Sequence, residues 1–258
     1  MASEYLKKKY KDVKPEEKVE LTPEQKRRNW WDYHKGWVLL GAVLVLGAAL
    51  LIRDIFFRPT PDYQVGYVSK TPLPEKVRSS LQEQLEALGE DVNGDGRVLV
   101  EIFNYSVGFD EQSMMDVEAA SAAVTGLTVD LSTGRVFLLL LDDPEGFQAR
   151  MGTLCYLDGG TPPLNDPAYG AEDWREMVYA WEDCPVLAGL DLGTYTQLLD
   201  IEETALDGQT AMDGIYVGCR ALWDEEQQTA FAADDQLWQI LTAGASPLEQ
   251  HGFGGTAK

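Results

Sequence analysis

The sequence has few of the side chains on which nucleophilic catalysis and metal centres usually depend. Its 258 residues include two histidines and three cysteines. His34 lies beside a long apolar run and His251 in a glycine-rich end, so neither is placed to act as a general base. No Gly-x-Ser-x-Gly, phosphate-loop or Gly-x-Gly-x-x-Gly motif follows a predicted strand. We therefore expect a protein without enzymatic activity. A hydrolase built on two carboxylates ranks third, after the two non-enzymatic functions given at the end of this subsection.

Basic residues are also scarce, and they are unevenly distributed. Lys and Arg number 21 against 43 Asp and Glu, which gives a formal net charge of -22 at pH 7. Residues 1–35 carry ten basic and seven acidic side chains, whereas residues 53–258 carry eleven and thirty-six. So acidic a region repels a phosphate backbone, which excludes nucleic acid as a partner. The asymmetry is typical of a chain whose two parts lie on opposite sides of a membrane.

One run, residues 37–52 (WVLLGAVLVLGAALLI), contains no charged or strongly polar side chain. As a helix it measures about 24 Å, slightly less than the ~30 Å hydrocarbon core of a bilayer. Aromatic residues form a belt at each end of this segment: Trp30, Trp31, Tyr33 and Trp37 on one side, and Phe56 and Phe57 on the other. Because basic residues precede the run, the positive-inside rule places the N-terminus in the cytoplasm. A buried core helix is the alternative, but two aromatic belts would not flank one.

The apolar run divides the chain into five expected segments. Residues 1–35 form a basic cytoplasmic tail, 36–57 a transmembrane signal-anchor helix, and 58–62 a juxtamembrane linker stiffened by prolines. Residues 63–244 form an extracytoplasmic domain, and 245–258 a flexible C-terminal tail. A cleaved signal peptide is the alternative to a signal anchor, but its basic region would be unusually long.

The outer domain begins with an alternation of element types. Patterns predict strands at 63–69, 98–103 and 136–141, the last apolar throughout, as in a strand that is covered on both faces. Helical periodicity predicts helices at 74–88 and 111–131. This order predicts an α/β fold, a βαβαβ domain with a mainly parallel sheet flanked by helices.

The two predicted helices carry a cap glycine and an apolar stripe, respectively. Gly89 follows the first helix at the position of a C-terminal cap glycine. The second helix has a heptad-like stripe that is expected to face the core: Met114, Val117, Ser121, Val124, Thr128 and Leu131.

The second half of the domain gives weaker signals. Residues 172–181 read as an amphipathic helix, 184–192 are ambiguous, 215–222 read as a strand, and 227–243 as a final helix. The final helix is expected to bury Phe231, Leu237, Trp238 and Leu241. Three aromatic residues of the first of these helices could line a ligand pocket, although core packing is the more common role at such spacing: Trp174, Tyr179 and Trp181.

The three cysteines allow at most one internal disulfide, and their spacing matches no zinc site. Cys155 with Cys184 is the expected pair, although the sequence leaves open whether they are bonded. Cys219, within an apolar run, reads as a buried free thiol.

The sharpest local pattern is residues 91–96 (DVNGDG), which matches the first half of a calcium-binding loop. Asp91, Asn93 and Asp95 are the candidate ligands for calcium. The match then ends, because position 12 is Ile102 and the nearby Glu101 would point to the opposite face of a strand. The alternative is a turn between helix and strand built from Asn-Gly and Asp-Gly.

Asp142 and Asp143 follow the most hydrophobic predicted strand. In open α/β sheets, ligands bind at the carboxyl ends of strands, so these carboxylates could meet a cationic group or a metal. The alternative is that Asp143 caps a short helix whose first residue is Pro144.

Four runs resemble a group of uncharacterised bacterial single-pass membrane proteins: WWDYHKGWVLLGAVLVLGAALLIRDIFF, PDYQVGYVSKTPLPEKV, GEDVNGDGRVLVEI and FLLLLDDPEGFQ. Their outer region is similar to a lobe of extracellular solute-binding proteins. The resemblance covers roughly residues 30–190 and implies a βαβαβ lobe in a bacterial cell membrane. A complete solute-binding protein has two lobes, whereas about 200 residues follow the apolar run here, so the resemblance implies no binding residue.

These observations favour a membrane-anchored, non-enzymatic binding domain that recognises a small ligand or an extracytoplasmic protein. Such a domain should have a concave site near Asp142 and the residues that follow Val68 and Phe103. The alternative is an accessory subunit of a membrane transport or secretion complex, which should carry a flat apolar patch. Gly41, Gly47 and neighbouring alanines could then pack against another helix.

Overall fold

The computed structural model of the chain divides into two compact units, Met1–Arg58 and Pro59–Lys258. It describes residues 22–56, 59–109, 117–163, 166, 170–199 and 202–248. The predicted stripe residue Met114, most of the N-terminal tail and most of the C-terminal tail lie outside these residues.

The described part of the first unit is one helix, α1 (Pro23–Phe56). A reciprocal cap begins it, because the Gln25 N–H donates to Thr22 Oγ1 (3.4 Å) and the Thr22 N–H donates to Gln25 Oε1 (3.0 Å). Its 34 residues measure about 51 Å at 1.5 Å per residue. The helix is long and apolar enough to span a membrane, with a mean hydropathy of 2.2 in its most apolar window. It begins at Pro23, well before the predicted span at 36–57.

The second unit, called the globular unit below, mixes strands and helices. Its strands are β1 (Tyr63–Ser69), β2 (Val100–Ser106), β3 (Leu138–Leu141), β4 (Val178–Ala180), β5 (Thr194–Leu199), β6 (Glu202–Asp207) and β7 (Tyr216–Cys219). Its α-helices are α2 (Glu75–Leu88), α3 (Val117–Ser132), α4 (Pro144–Met151), α5 (Pro185–Ala188), α6 (Glu225–Ala230) and α7 (Ala232–Leu241). Within the described residues, three short 3-10 helices span Ala171–Glu176, Trp181–Asp183 and Gly208–Met212.

Five strands form one sheet in the order β2–β1–β3–β7–β4. β1 pairs in parallel with both β2 and β3, so the predicted βαβαβ succession is present. β7 is antiparallel to both β3 and β4, and a separate antiparallel hairpin joins β5 to β6. The prediction of a mainly parallel sheet therefore holds for the first three strands only, because the chain returns through β7 in the opposite direction.

Helices cover both faces of the sheet and create two apolar cores. On one face, α2 and α7 pack with 3-10 segments over β1, β2 and β3. On the other face, α3 and α4 pack over the same strands. All four residues of β3 are buried, as the uninterrupted apolar sequence predicts for a strand between two layers.

The buried stripe of α3 differs from the prediction. Leu127 and Leu131 are buried, whereas Ser121 and Thr128 are exposed. The predicted stripe included two polar residues, Ser121 and Thr128. The buried apolar side chains lie on a face of the helix that is slightly rotated from this stripe. Gly134 ends this segment with φ 69°, in the left-handed region that glycine tolerates.

The segment at 172–181 is not one amphipathic helix. It is a 3-10 helix, the three-residue strand β4 and a second 3-10 helix. Trp174, Met177, Val178 and Trp181 are nevertheless all buried. The predicted helix at 227–243 is also interrupted, because α6 and α7 are separated at Phe231.

The predicted cysteine pairing is wrong. Cys155 and Cys219 form the disulfide, with their Cα atoms 6.0 Å apart, and Cys184 is the buried free cysteine. The cause is register: Leu154 and Arg220 form an antiparallel bridge, and the Cys155 N–H donates to the Cys219 carbonyl at 3.0 Å. The segment that contains Cys155 therefore runs directly beside the end of β7.

Candidate binding edge of the sheet

The carboxyl ends of the parallel strands β1, β2 and β3 form one edge of the sheet, called the carboxyl edge below. From β1 the chain crosses through α2 to β2 on one side, and from β2 it crosses through α3 to β3 on the other side of β1. The gap between β1 and β3 is thus a topological switch point, where open α/β sheets bind ligands.

Asp142 lies at this switch point, and one of its carboxylate oxygens holds the end of β1 in place. Asp142 Oδ2 accepts hydrogen bonds from Ser69 Oγ (2.9 Å) and from the Lys70 N–H (2.8 Å). The other oxygen, Oδ1, is buried and has no hydrogen-bond donor among the described residues. Ser69, the residue that follows Val68, is therefore in direct contact with Asp142.

Tyr67 adds an aromatic hydroxyl to this group. Burial raises the pKa of its phenol, and the nearby charge of Asp142 acts in the same direction. The phenol therefore stays protonated at neutral pH and can donate. Tyr195 in turn contacts the hydroxyl of Thr210, Oη to Oγ1, at 3.3 Å.

Two other polar residues near this edge have structural roles. They are Asn104, within β2, and Asp143, two residues after β3. Asn104 Oδ1 accepts from the Leu73 N–H at 3.2 Å, which fixes the loop before α2. Asp143 Oδ1 accepts from the Gly146 N–H at 2.9 Å and is the N-cap of α4, with Pro144 at its first turn. The helix-cap alternative for Asp143 is therefore confirmed.

A cavity of about 230 Å³ opens farther along the same edge. Tyr216 lines it and pairs with both Leu141, the residue before Asp142, and Ala180 of β4. Trp181 also lines the cavity, whereas Tyr179 packs against Trp238 with ring centroids 6.0 Å apart. Sequence reasoning did not find the remaining lining residues, because they come from several short segments without a recognisable motif.

The loop at 91–96 is held by its own acidic side chains. Asp91 accepts from the N–H groups of Gly94 (2.7 Å, Oδ1) and Gly96 (2.8 Å, Oδ2). Asn93 Oδ1 accepts from the Asp95 N–H at 2.9 Å. Both glycines have positive φ, which explains their positions in the loop.

Asp62, which the sequence did not single out, supports this loop from outside. Its Oδ1 accepts from the N–H groups of Val92 (2.9 Å) and Asn93 (3.0 Å), and its Oδ2 from the Leu99 N–H at 2.9 Å. Within the described ranges, no three His, Cys, Asp or Glu side chains converge as a metal-binding group. Calcium at Asp91, Asn93 and Asp95 stays a prediction.

The residues that follow the loop, Glu101 and Ile102, do not complete a calcium-binding motif, as the sequence indicates. Ile102, at the twelfth position, is buried in the core on the α2 face. Glu101 lies 3.9 Å from Arg135, measured from Oε2 to Nη2.

No protein-family model, no curated protein and no solved structure matches this chain.

Proposed function

We propose that this chain is a membrane-anchored, non-enzymatic binding domain whose ligand lies at the carboxyl edge of the sheet, beside Asp142. One observation carries the proposal: Asp142 Oδ1 is buried without a donor, while Oδ2 accepts two hydrogen bonds. A buried polar oxygen that lacks a partner costs about 1–3 kcal/mol. A ligand that donates a hydrogen bond to Oδ1 would remove this cost.

The location of Asp142 supports the same conclusion. It follows the last residue of β3, whose parallel partner β1 ends at Ser69, and the two strands flank the switch point. The ligand must therefore present an N–H or O–H group, from a small molecule or from the side chain of an extracytoplasmic protein.

The surface of the globular unit favours this role over a flat docking patch. Among its described residues, the large apolar side chains that are exposed are Val92, Val129 and Ile240. They belong to a loop, to α3 and to α7. Single exposed apolar residues on separate elements do not form the contiguous apolar patch that is expected of an accessory subunit.

The adjacent carboxylate supports a binding role over a hydrolytic one. Asp143 is engaged as the cap of α4, so it is not free to act with Asp142 as an acid–base pair. We infer no reaction at this edge.

We further propose that α1 anchors the protein in a bacterial cell membrane, with the N-terminus in the cytoplasm and the globular unit outside. The basic side chains before the apolar segment support this orientation. Protease added to cells without an outer barrier should then remove the globular unit and spare the N-terminal tail. A globular unit that is protected from protease would reverse the orientation.

The binding proposal can be tested by native mass spectrometry of full-length protein purified from its own membranes in mild detergent. Wild-type protein should retain a small molecule or partner that the Asp142→Asn variant loses. Glu145→Gln is the matched control, because Glu145 is an exposed acid only three residues from Asp142 in the sequence. This variant should retain the ligand as wild type does.

The same preparations separate the alternatives. A stoichiometric partner that survives Asp142→Asn and is lost only when α1 is absent indicates an accessory subunit that docks through its helix. Equal retention by wild type and Asp142→Asn contradicts a binding site at Asp142. Turnover of a retained molecule during incubation contradicts the non-enzymatic role.

A further inference from the structure

The 230 Å³ cavity at the carboxyl edge has an apolar floor. Trp181, Met212 and Ile215 line it, and all three side chains are buried. Its volume is below the roughly 300 Å³ at which pockets for drug-sized ligands begin. The cavity therefore suits an occupant of about the size of an amino acid or a short diamine.

Two polar side chains in its wall, those of Trp181 and Gln209, already have partners. Trp181 Nε1 donates to Gln209 Oε1 at 2.8 Å. Gln209 Nε2 donates to the carbonyl oxygens of Leu187 (3.2 Å) and Leu190 (2.8 Å). The indole and the amide are thus fixed in place, and neither has a donor left for a ligand.

The rim of the cavity offers hydrogen-bond acceptors and negative charge. Glu182 and Asp213 line it and are exposed. Neither carboxylate has an ion pair or a side-chain hydrogen bond within the part of the chain that the structure describes. No Lys or Arg is among the lining residues. A ligand that complements this rim must carry a positive charge and donate hydrogen bonds.

We propose that this cavity binds a small organic amine, with its ammonium group at Glu182 and Asp213 and its apolar stem against Trp181 and Met212. The inference rests on the proposed function, because it assigns a ligand class to the same edge of the sheet. Trp181 lines the cavity, so its indole adds apolar contact for the stem of the amine.

The charge of the surrounding chain supports a cationic ligand over a neutral one. Residues 53–258 carry thirty-six acidic and eleven basic side chains. A field of this sign concentrates cations near the surface and raises their association rate. This field acts over the whole acidic region. The test must therefore distinguish binding at a defined site from nonspecific attraction of cations to the surface.

The test is isothermal titration calorimetry of the full chain in mild detergent at low salt, with 1,5-diaminopentane as the probe. Saturable binding at one site is expected, and 1,5-pentanediol, which has the same length without charge, should not bind. Asp213→Asn and Glu182→Gln should each weaken binding up to about fivefold, the effect of one exposed charge pair. Glu83→Gln, an exposed acid on α2, should leave binding unchanged.

A steric variant identifies the cavity itself. Ala188 lines the cavity and is exposed, so Ala188→Trp should fill its mouth without disturbing the core and should abolish binding. The inference is overturned if the diamine gives no saturable heat with wild type. It is also overturned if the diol binds equally well or if Ala188→Trp binds like wild type.

The test also distinguishes this inference from the proposed function. A co-purified ligand that is lost in Asp142→Asn, together with no diamine binding, keeps the proposed function and rejects the cavity as an amine site. Diamine binding that Ala188→Trp abolishes, with no dependence of any retained ligand on Asp142, supports the cavity and rejects the site at Asp142.

Discussion

Ser69 Oγ donates a hydrogen bond of 2.9 Å to Asp142 Oδ2 and thereby joins the ends of the two parallel strands at the switch point. The hydroxyl also accepts from the Thr71 N–H at 3.3 Å, so one side chain fixes both the turn after β1 and the carboxylate after β3. The candidate site is therefore rigid before a ligand arrives, which lowers the entropic cost of binding.

Removing this hydroxyl should destabilise the globular unit. We expect Ser69→Ala to lower the free energy of unfolding by about 1–2 kcal/mol, because a part-buried hydrogen bond to a carboxylate is lost. Urea unfolding followed by tryptophan fluorescence measures the change. Ser106→Ala is the control, since Ser106 is the exposed register partner of Ser69 on β2 and should change stability by less than about 0.5 kcal/mol. Equal effects of the two variants would contradict a specific role for the Ser69–Asp142 bond.

The first half of the globular unit could be predicted from its sequence because each element is specified locally. β1, α2 and β3 have uninterrupted apolar patterns of the correct period, and consecutive crossovers then dictate parallel pairing. The meeting of Ser69 and Asp142 follows from the same rule, since the carboxyl ends of parallel strands share one edge.

The second half could not be predicted because its arrangement depends on distant pairing. Trp174, Met177 and Trp181 are buried and have helical spacing, yet Trp174 and Trp181 lie in two separate 3-10 helices and Met177 lies between them. The cavity and the Cys155–Cys219 bond both depend on the antiparallel register of β7, to which no local pattern points.

Gly89 is required for space and not for backbone conformation. Its φ of -79° is open to any residue, but an added Cβ would lie 2.6 Å from Cε2 of the Tyr63 ring. We expect Gly89→Ala to lower the free energy of unfolding by about 1–3 kcal/mol through overpacking. Thermal or urea denaturation measures it.

At Gly126 the same substitution, glycine to alanine, should have the opposite effect on stability. Gly126 lies inside α3, and nothing lies within 4 Å of an added Cβ. The substitution should therefore stabilise the protein by about 1 kcal/mol through helix propensity. A stabilised Gly89→Ala variant would show that the Tyr63 ring moves aside at little cost.

The disulfide assignment predicts which thiol is free. Non-reducing peptide mapping should recover Cys155 linked to Cys219. Burial, followed by the nearby charge of Asp183, raises the pKa of the Cys184 thiol to about 12. Cys184 should therefore stay protonated at pH 8, and iodoacetamide should alkylate it only after denaturation.

Removal of the Cys155–Cys219 disulfide should lower the free energy of unfolding considerably, because this disulfide closes a long loop. The two cysteines are 64 residues apart, which corresponds to about 4 kcal/mol in the chain-entropy model. Cys155→Ser with Cys219→Ser should lower the urea midpoint accordingly. A peptide that links Cys155 to Cys184 would overturn the assignment.

Asp234 should make stability depend on pH. Burial raises the pKa of this carboxyl to about 7 from an ordinary value of 3.8. The folded state therefore binds a proton that the unfolded state has released between pH 4 and 7, so stability falls as pH rises through this window and is then constant.

Asp234→Asn should remove this dependence and stabilise the protein at pH 8 by roughly 2–4 kcal/mol, with little effect at pH 4. Unfolding free energies measured at both values of pH provide the test. Asp235→Asn, on an exposed neighbour in the same turn, should leave the pH dependence intact. A pH profile that is the same in wild type and Asp234→Asn would assign the dependence to another group.

The loop at 91–96 leads to a prediction about calcium. Its backbone is already fixed by Asp62, Asp91 and Asn93, so ordering the loop adds little to the cost of binding a cation. We propose that calcium binds at Asp91, Asn93 and Asp95, and that millimolar calcium raises the melting temperature by several degrees, which a chelator reverses. Asp95→Asn should reduce the shift, because it removes one negative charge and keeps a side-chain oxygen that can accept from the Arg97 N–H. Melting curves that are unchanged by calcium would leave the Asn-Gly and Asp-Gly turn as the whole role of this segment.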